Sequence, residues 1–316
     1  MKTIRLIILI CAIAISNKGF SVTTYDTTAD STGLPGDNFS LHGALDMFKK
    51  STSLEEFEKK LNDDENGVNN LDLNNDGEID YVQVIDKTEG NAHAIVLQVS
   101  VTETESQDVA VIEIEKNGDA SAMLQIIGDE ELYEANTIVE PYDETDLKNG
   151  KSGPMLNDLM TRKIIVNVWI WPCVKFIYAP AYVVWVSPWH WHYYPVWWKP
   201  WKPHPWYWHH RICGPYRMLY KPTNVHRVMI AHKMYAPHRK SSVVVATRFK
   251  AAHVNHTMNK TRKETAKPIK TKSAVGNNIK TNKNGNAQKA NKGGGMGAPH
   301  PKGGNKGGKG GKGGRK

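Results

Sequence analysis

The chain predicts an α+β fold: two helices on an antiparallel sheet of about four strands over residues 40–140, then an irregular Trp/Pro-rich region and a disordered basic tail. Three observations carry this. Apolar residues recur at helical spacing before residue 62, and apolar and polar residues alternate between residues 79 and 127. All ten tryptophans fall between Trp169 and Trp208.

Each element has a local cause. Lys2 and Arg5, the apolar run Leu6–Ile15 and the small residues of Ala14-Ile15-Ser16 form the three regions of a cleaved export signal, residues 1–21. The run is too short to cross a hydrocarbon core, which takes about 20 residues. A lipid anchor on Cys11 is the alternative, disfavoured because Ile10 stands where a small residue is expected. Residues 22–39 are rich in Thr, Ser, Asp and Gly and read as a flexible lead-in. Leu41, Ala44, Leu45 and Phe48 make the stripe of a first helix. Ser53 and Glu56 make the capping box of a second, with Leu54, Phe57 and Leu61 on its apolar face.

The period then shortens. Ile79–Ile85, Ile95–Val101, Val109–Lys116 and Ala120–Ile127 alternate as strands with one buried face. Glu89-Gly90-Asn91 and Asn117-Gly118-Asp119 supply the residues that tight turns demand. A domain of this size can bury its own core. The acidic run Asp129–Glu134 caps the sheet, and residues 141–158 read as a linker.

Between the helices and the strands lies a loop with specific chemistry. Asp72, Asn74, Asp76 and Asp80 place side-chain oxygens at positions 1, 3, 5 and 9, Gly77 permits the sharp turn, and the Glu78 carbonyl supplies position 7. Such an oxygen set suits calcium in a structural role. Position 12, a bidentate Glu in an EF-hand, is Gln83, and a strand follows instead of a helix. The competing reading is an acidic turn whose side chains bond their own backbone.

Residues 159–258 form a Trp/Pro/His-rich basic region. Asn167, Pro172, Lys175 and Pro180 interrupt the apolar stretch Ile164–Val186 and argue against a membrane span. Val166–Trp171 reads as a strand and Cys173–Tyr178 as a helical turn with Pro172 at its first position. The prolines beyond exclude long helices and central strands. The indoles either pack as a core or form an adhesive face, with Trp197, Trp198, Lys199, Trp201 and Lys202 as surface-binding candidates. Cys173 and Cys213 bracket most of the tryptophans, and a disulfide and two buried thiols both stay open. His190, His192, His204, His209 and His210 crowd the same stretch, but no carboxylate or paired Cys joins them in a ligand pattern. Ser241–Thr247 reads as a strand. Residues 259–316, with 16 Lys/Arg and the single acid Glu264, read as a disordered tail.

Charge is segregated. Residues 1–150 carry 10 Lys/Arg against 30 Asp/Glu, and residues 151–316 carry 31 against 2, a division hidden by the formal net charge of +9. H-E-x-x-H, G-x-S-x-G, the phosphate loop and Cys-x-x-Cys are missing from the sequence, so no motif commits it to a reaction.

Asn69–Tyr81, Ile127-Gly128-Asp129 and Ala181–Trp189 together resemble a family of uncharacterised exported proteins of Gram-negative bacteria. The resemblance covers most of residues 40–250. It implies export and this domain order, and no catalytic residue. The expected function is therefore non-enzymatic: a periplasmic, outer-surface or secreted protein with a calcium-stabilised acidic domain. Its aromatic and basic half would attach to an anionic envelope component, a polysaccharide or a membrane surface. The alternatives are an exported enzyme acting on cell-wall or polysaccharide material and an extracellular nucleic-acid binder.

Overall fold

The capping residues of the first half set its helices where the spacing predicts them. The computed structural model describes residues 31–142 and 166–265. The export signal, most of the linker and residues beyond 265 lie outside the described residues. Helix α1 spans Leu41–Lys49, and Ser40 Oγ accepts the Gly43 amide at 3.0 Å. Helix α2 spans Leu54–Leu61, capped by Ser53 Oγ on the Glu56 amide at 3.1 Å. The Glu56 carboxylate reaches back to the Thr52 amide at 2.7 Å, one residue before the cap. Ser53→Ala is expected to lower stability by about 1 kcal/mol, read as a lower urea midpoint at unchanged slope.

The sheet has six strands in sequential antiparallel order: β1 (Val82–Glu89), β2 (Ala92–Ser100), β3 (Ser106–Gly118), β4 (Ser121–Gly128), β5 (Ile138–Pro141) and β6 (Tyr220–Thr223). Gly90, at φ 58°, turns the first hairpin between Glu89 and Ala92. The first four strands are those the alternation marks. The last two are four residues each, too short for a period-2 pattern to register, and β6 arrives from the Trp-rich half.

That half folds onto the sheet. Helix α3 (Pro172–Ile177) starts with proline at its first position, as expected. Then come α4 (Trp206–Ile212), α5 (Gly214–Arg217), α6 (Met229–Tyr235) and α7 (Val243–Thr265). Two expected strands are absent. Val166–Trp171 is extended chain and turn, with the Trp171 amide bonded to the Val168 carbonyl at 2.9 Å. Ser241–Thr247 opens α7: Ser242 Oγ accepts the Val245 amide, and the Glu105 carboxylate accepts both the Ser242 hydroxyl and the Val244 amide. A cap supplied from the β2–β3 turn overrides the strand preference of three successive valines. Helix α7 also carries order past Asn259 to Thr265. Among the described residues no helix is long and apolar enough to cross a membrane.

Both faces of the sheet are buried, where the sequence suggests one. The inner face, with Ile95, Leu97, Val99, Ile112 and Ile114, packs on Leu45, Phe48, Phe57 and Leu61, and Phe48 and Phe57 meet edge to face at 5.3 Å. Trp171, Cys173, Val174, Ile177, Tyr220 and Val245 from the second half join this same core. On the outer face Ala94, Val96 and Val111 lie under Tyr235, and Ala92 lies under Val228 and Ala231.

Candidate functional site

The carboxylates that make the first half acidic are largely where the second half is fastened. Buried Glu58 accepts the Tyr81 hydroxyl (2.9 Å), the Ser187 hydroxyl (2.8 Å), the Val84 amide (3.0 Å) and the Trp185 indole N–H (3.2 Å). Asp86 accepts the Tyr182 hydroxyl at 2.7 Å and touches His93 Nδ1 at 2.9 Å. Tyr235 donates to Asp108 at 2.8 Å, Arg227 to Glu140 at 2.7 Å, and Arg239 grips both oxygens of Asp129. This bidentate pairing holds the guanidinium of Arg239 above its ordinary range. The opposed charges of the two halves thus meet within the molecule.

In the Asp72–Asp80 loop, the two carboxylate oxygens of Asp72 accept the Asp76 and Gly77 amides (3.1 and 3.0 Å), and Asp76 Oδ1 accepts the Glu78 amide (2.9 Å). Asn75 and Gly77 take positive φ of 58° and 85° to make the turn. Asp80 is buried and accepts the Leu73 amide at 2.5 Å. Burial first, and then the charges of Asp72 and Asp76, push its carboxyl up to about 7. The loop also fastens the second half: the Ile79 amide bonds the Trp201 carbonyl at 2.8 Å, and Arg248 donates to the Leu73 carbonyl at 2.6 Å.

A raised carboxyl binds its proton more tightly folded than unfolded. Its contribution to stability is therefore largest below pH 3.8 and is lost as pH rises towards about 7. In calcium-free buffer, Asp80→Asn should gain melting temperature over the parent as pH rises from 4.5 to 8.

The surface-binding candidates divide. Trp198 is buried, its ring 5.1 Å from Tyr81, 4.7 Å from Tyr194 and 6.3 Å from Trp201, so it is taken up in packing and offers no outer face. Trp201 is half-buried, and its indole N–H, like that of Trp198, meets no acceptor. Trp197 is 47% exposed, with Lys59 above its ring at 5.5 Å, and Lys199 and Lys202 are exposed. Most of the other tryptophans are half-buried. Apolar side chains facing outward around this stretch include Val183 (83% exposed), Val184, Val186, Tyr193 and Val196 (99%).

Beside them the chain makes a tight turn, with backbone bonds between His190 and Tyr193 in both directions (3.1 and 2.8 Å) and His192 at φ 57°. This turn borders a groove of about 640 Å³ lined by Trp189, His190, Trp191, His192, Gln83, Gln98, Ser100, Glu103 and Ser106. Gln83 fixes it to the sheet by donating to the Trp189 carbonyl at 2.7 Å.

Both cysteines are free and buried, so the disulfide alternative is not what the structure shows. Cys173 sits in the inner core, whereas the Cys213 thiol donates to the Gly67 carbonyl at 3.2 Å. His209 Nε2 lies 3.8 Å from Cys213 Sγ, but burial pushes that thiol up to about 11 and the imidazole down to about 4. A neutral thiol beside a neutral imidazole is the reverse of an activated nucleophile.

No protein-family model, curated protein or solved structure matches this chain.

One group escapes sequence reasoning altogether. Glu113, fully buried at the centre of β3, meets His226 Nε2 at 2.5 Å and His232 Nδ1 at 2.9 Å. The crowded histidines of residues 190–210 are not part of it. The only signal in the sequence is a pair of acids, Glu113 and Glu115, at strand positions that alternation assigns to solvent.

Proposed function

We propose that the protein is an exported, non-catalytic attachment protein that holds an anionic polysaccharide of the cell envelope. The observation that carries this reading is the groove at the His190–Tyr193 turn, where two half-buried indoles share the walls with two amides, two hydroxyls, two imidazoles and the Glu103 carboxylate. Flat rings suit sugar faces, and amides and hydroxyls suit sugar hydroxyls. Exposed Lys199 and Lys202, and residues 266–316 with 13 Lys/Arg and no acid, supply attraction for an anionic polymer. Export rests on the composition of residues 1–21.

Affinity electrophoresis of the full chain through gels carrying polygalacturonate, with dextran as the neutral control, tests the reading. Selective retardation by the acidic polymer that fades with salt is expected, weaker by roughly tenfold for Trp191→Ala. Equal mobility in both gels contradicts it. Release of reducing ends would make the protein an enzyme, and stronger retention by anionic liposomes or duplex DNA would change the partner.

The same proposal assigns calcium to the Asp72–Asp80 loop. The donors are all oxygens, the chemistry a hard cation takes, and in the structure the oxygens of Asp72 and Asp76 accept amides of their own turn. Asp72, Asn74, Asp76, Asp80 and the Glu78 carbonyl would hold the ion, whose contribution is structural: it neutralises the loop that anchors Trp201 through Ile79. Calcium at roughly millimolar concentration should raise the melting temperature at pH 8, and less so in Asp72→Ala. A melting temperature indifferent to calcium contradicts the assignment.

A further inference from the structure

The geometry points to a transition-metal site of the zinc type formed by Glu113, His226 and His232 on the outer face of the sheet. Their ligand atoms all lie within 4.8 Å of one another, although the residues come from three separate elements: β3, the chain after β6, and α6. Two imidazole nitrogens and one carboxylate are the donor set of three-ligand zinc centres, and two imidazoles are a poor choice for calcium. The inference is independent of the polysaccharide reading, whose groove takes Ser106 at the start of β3.

The scaffold around the three groups is rigid. Gln125 lies beside Glu113 in the β3–β4 register, donates to the Val225 carbonyl at 2.9 Å and accepts the Arg227 amide at 2.7 Å, clamping the residues on either side of His226. His232 is carried by α6, whose Ile230 and Ala231 amides both bond the Glu115 carboxylate (2.5 and 3.1 Å). The imidazole rings stand edge to face, with centroids 4.3 Å apart. Both border a cleft of about 420 Å³, shared with Val111, Ile127, Tyr235 and Arg239. Glu113 therefore closes the site from below, and the cleft leaves a coordination position for an exchangeable ligand.

The competing arrangement is a carboxylate that holds two imidazoles by hydrogen bonds alone. The two differ in proton placement. To bind a metal, His226 offers the lone pair of Nε2 and keeps its proton on Nδ1, while His232 offers Nδ1 and keeps its proton on Nε2.

Zinc binding by the full untagged chain, measured by competition with a chromophoric chelator, decides between them. One zinc per chain is expected, with affinity reduced by more than roughly 100-fold in His232→Ala and Glu113→Gln. Cobalt(II) should give the visible spectrum of a low-coordinate nitrogen and oxygen site in the parent and lose it in His232→Ala. That variant changes a partly exposed side chain, so circular dichroism should show it folded even if Glu113→Gln is not. His190→Ala/His192→Ala, which alters two exposed imidazoles of the groove, should bind zinc as the parent does. Failure of the parent to bind, or binding that survives His232→Ala and vanishes in the His190/His192 variant, overturns the assignment.

Discussion

A chain ending at Tyr142 is expected to lose cooperative unfolding altogether, although it keeps both amphipathic helices and the first five strands. Removing the second half uncovers Ala94, Val96 and Val111 on the outer face, where Tyr235 sits on them. It also strips the inner core of Trp171, Val174, Ile177, Tyr220 and Val245. One well-buried side chain contributes roughly 1.5–3 kcal/mol, so losing even part of this cover at so many positions exceeds the roughly 5–15 kcal/mol of a typical domain. Strand β5 loses its β6 partner as well and is left pairing β4 only at Ile126 and Ile127. A broad thermal trace with weak near-ultraviolet dichroism is the expected result. A sharp transition in this fragment would show that residues 31–142 fold alone, as their length suggests.

Glu58→Ala is the point substitution with the largest expected effect, a loss of roughly 3–5 kcal/mol, the scale for removing one partner from a buried charged network. Burial raises the pKa of this carboxyl, and the bonds from Ser187, Tyr81, Val84 and Trp185 draw it back down. Without the carboxylate, a backbone amide and an indole N–H of the buried network lose their acceptor together. The change also frees Trp185 and Ser187, the residues that seat the Trp/Pro segment against β1, where Ile85 bridges Val186. The urea midpoint should drop and tryptophan fluorescence should shift to the red. A cost under about 1 kcal/mol would mean that the segment is held by its backbone bonds to β1 and by ring packing.

How much could be read from the sequence follows from how local each determinant is. Ser53 with Glu56, the alternation of Ile95–Val101 and Pro172 at a helix start act within a few residues, and the structure has those elements in place. Helix α7 is hidden from the sequence because the Glu105 carboxylate, 137 residues away, joins Ser242 in capping it. The outer face was misread because Asp108, Glu113 and Glu115 occupy strand positions that look solvated. Their donors, Tyr235, the two histidines and the first amides of α6, lie more than 100 residues away. Trp198 shows the same limit: composition gathers the indoles in one stretch, but the Tyr81 ring that buries this one belongs to the other half of the chain.

The central claim is that the basic, aromatic half and the acidic half form one cooperative structure, in which buried carboxylates of the first half hold side chains of the second. Amide hydrogen exchange of the full chain tests it most directly. If the claim holds, peptides covering β6 and α6 exchange as slowly as those of β2 and β3, because all open together. Exchange in β6 and α6 that runs orders of magnitude faster, while β2 and β3 stay protected, would contradict it and return the second half to a separate module on a tether.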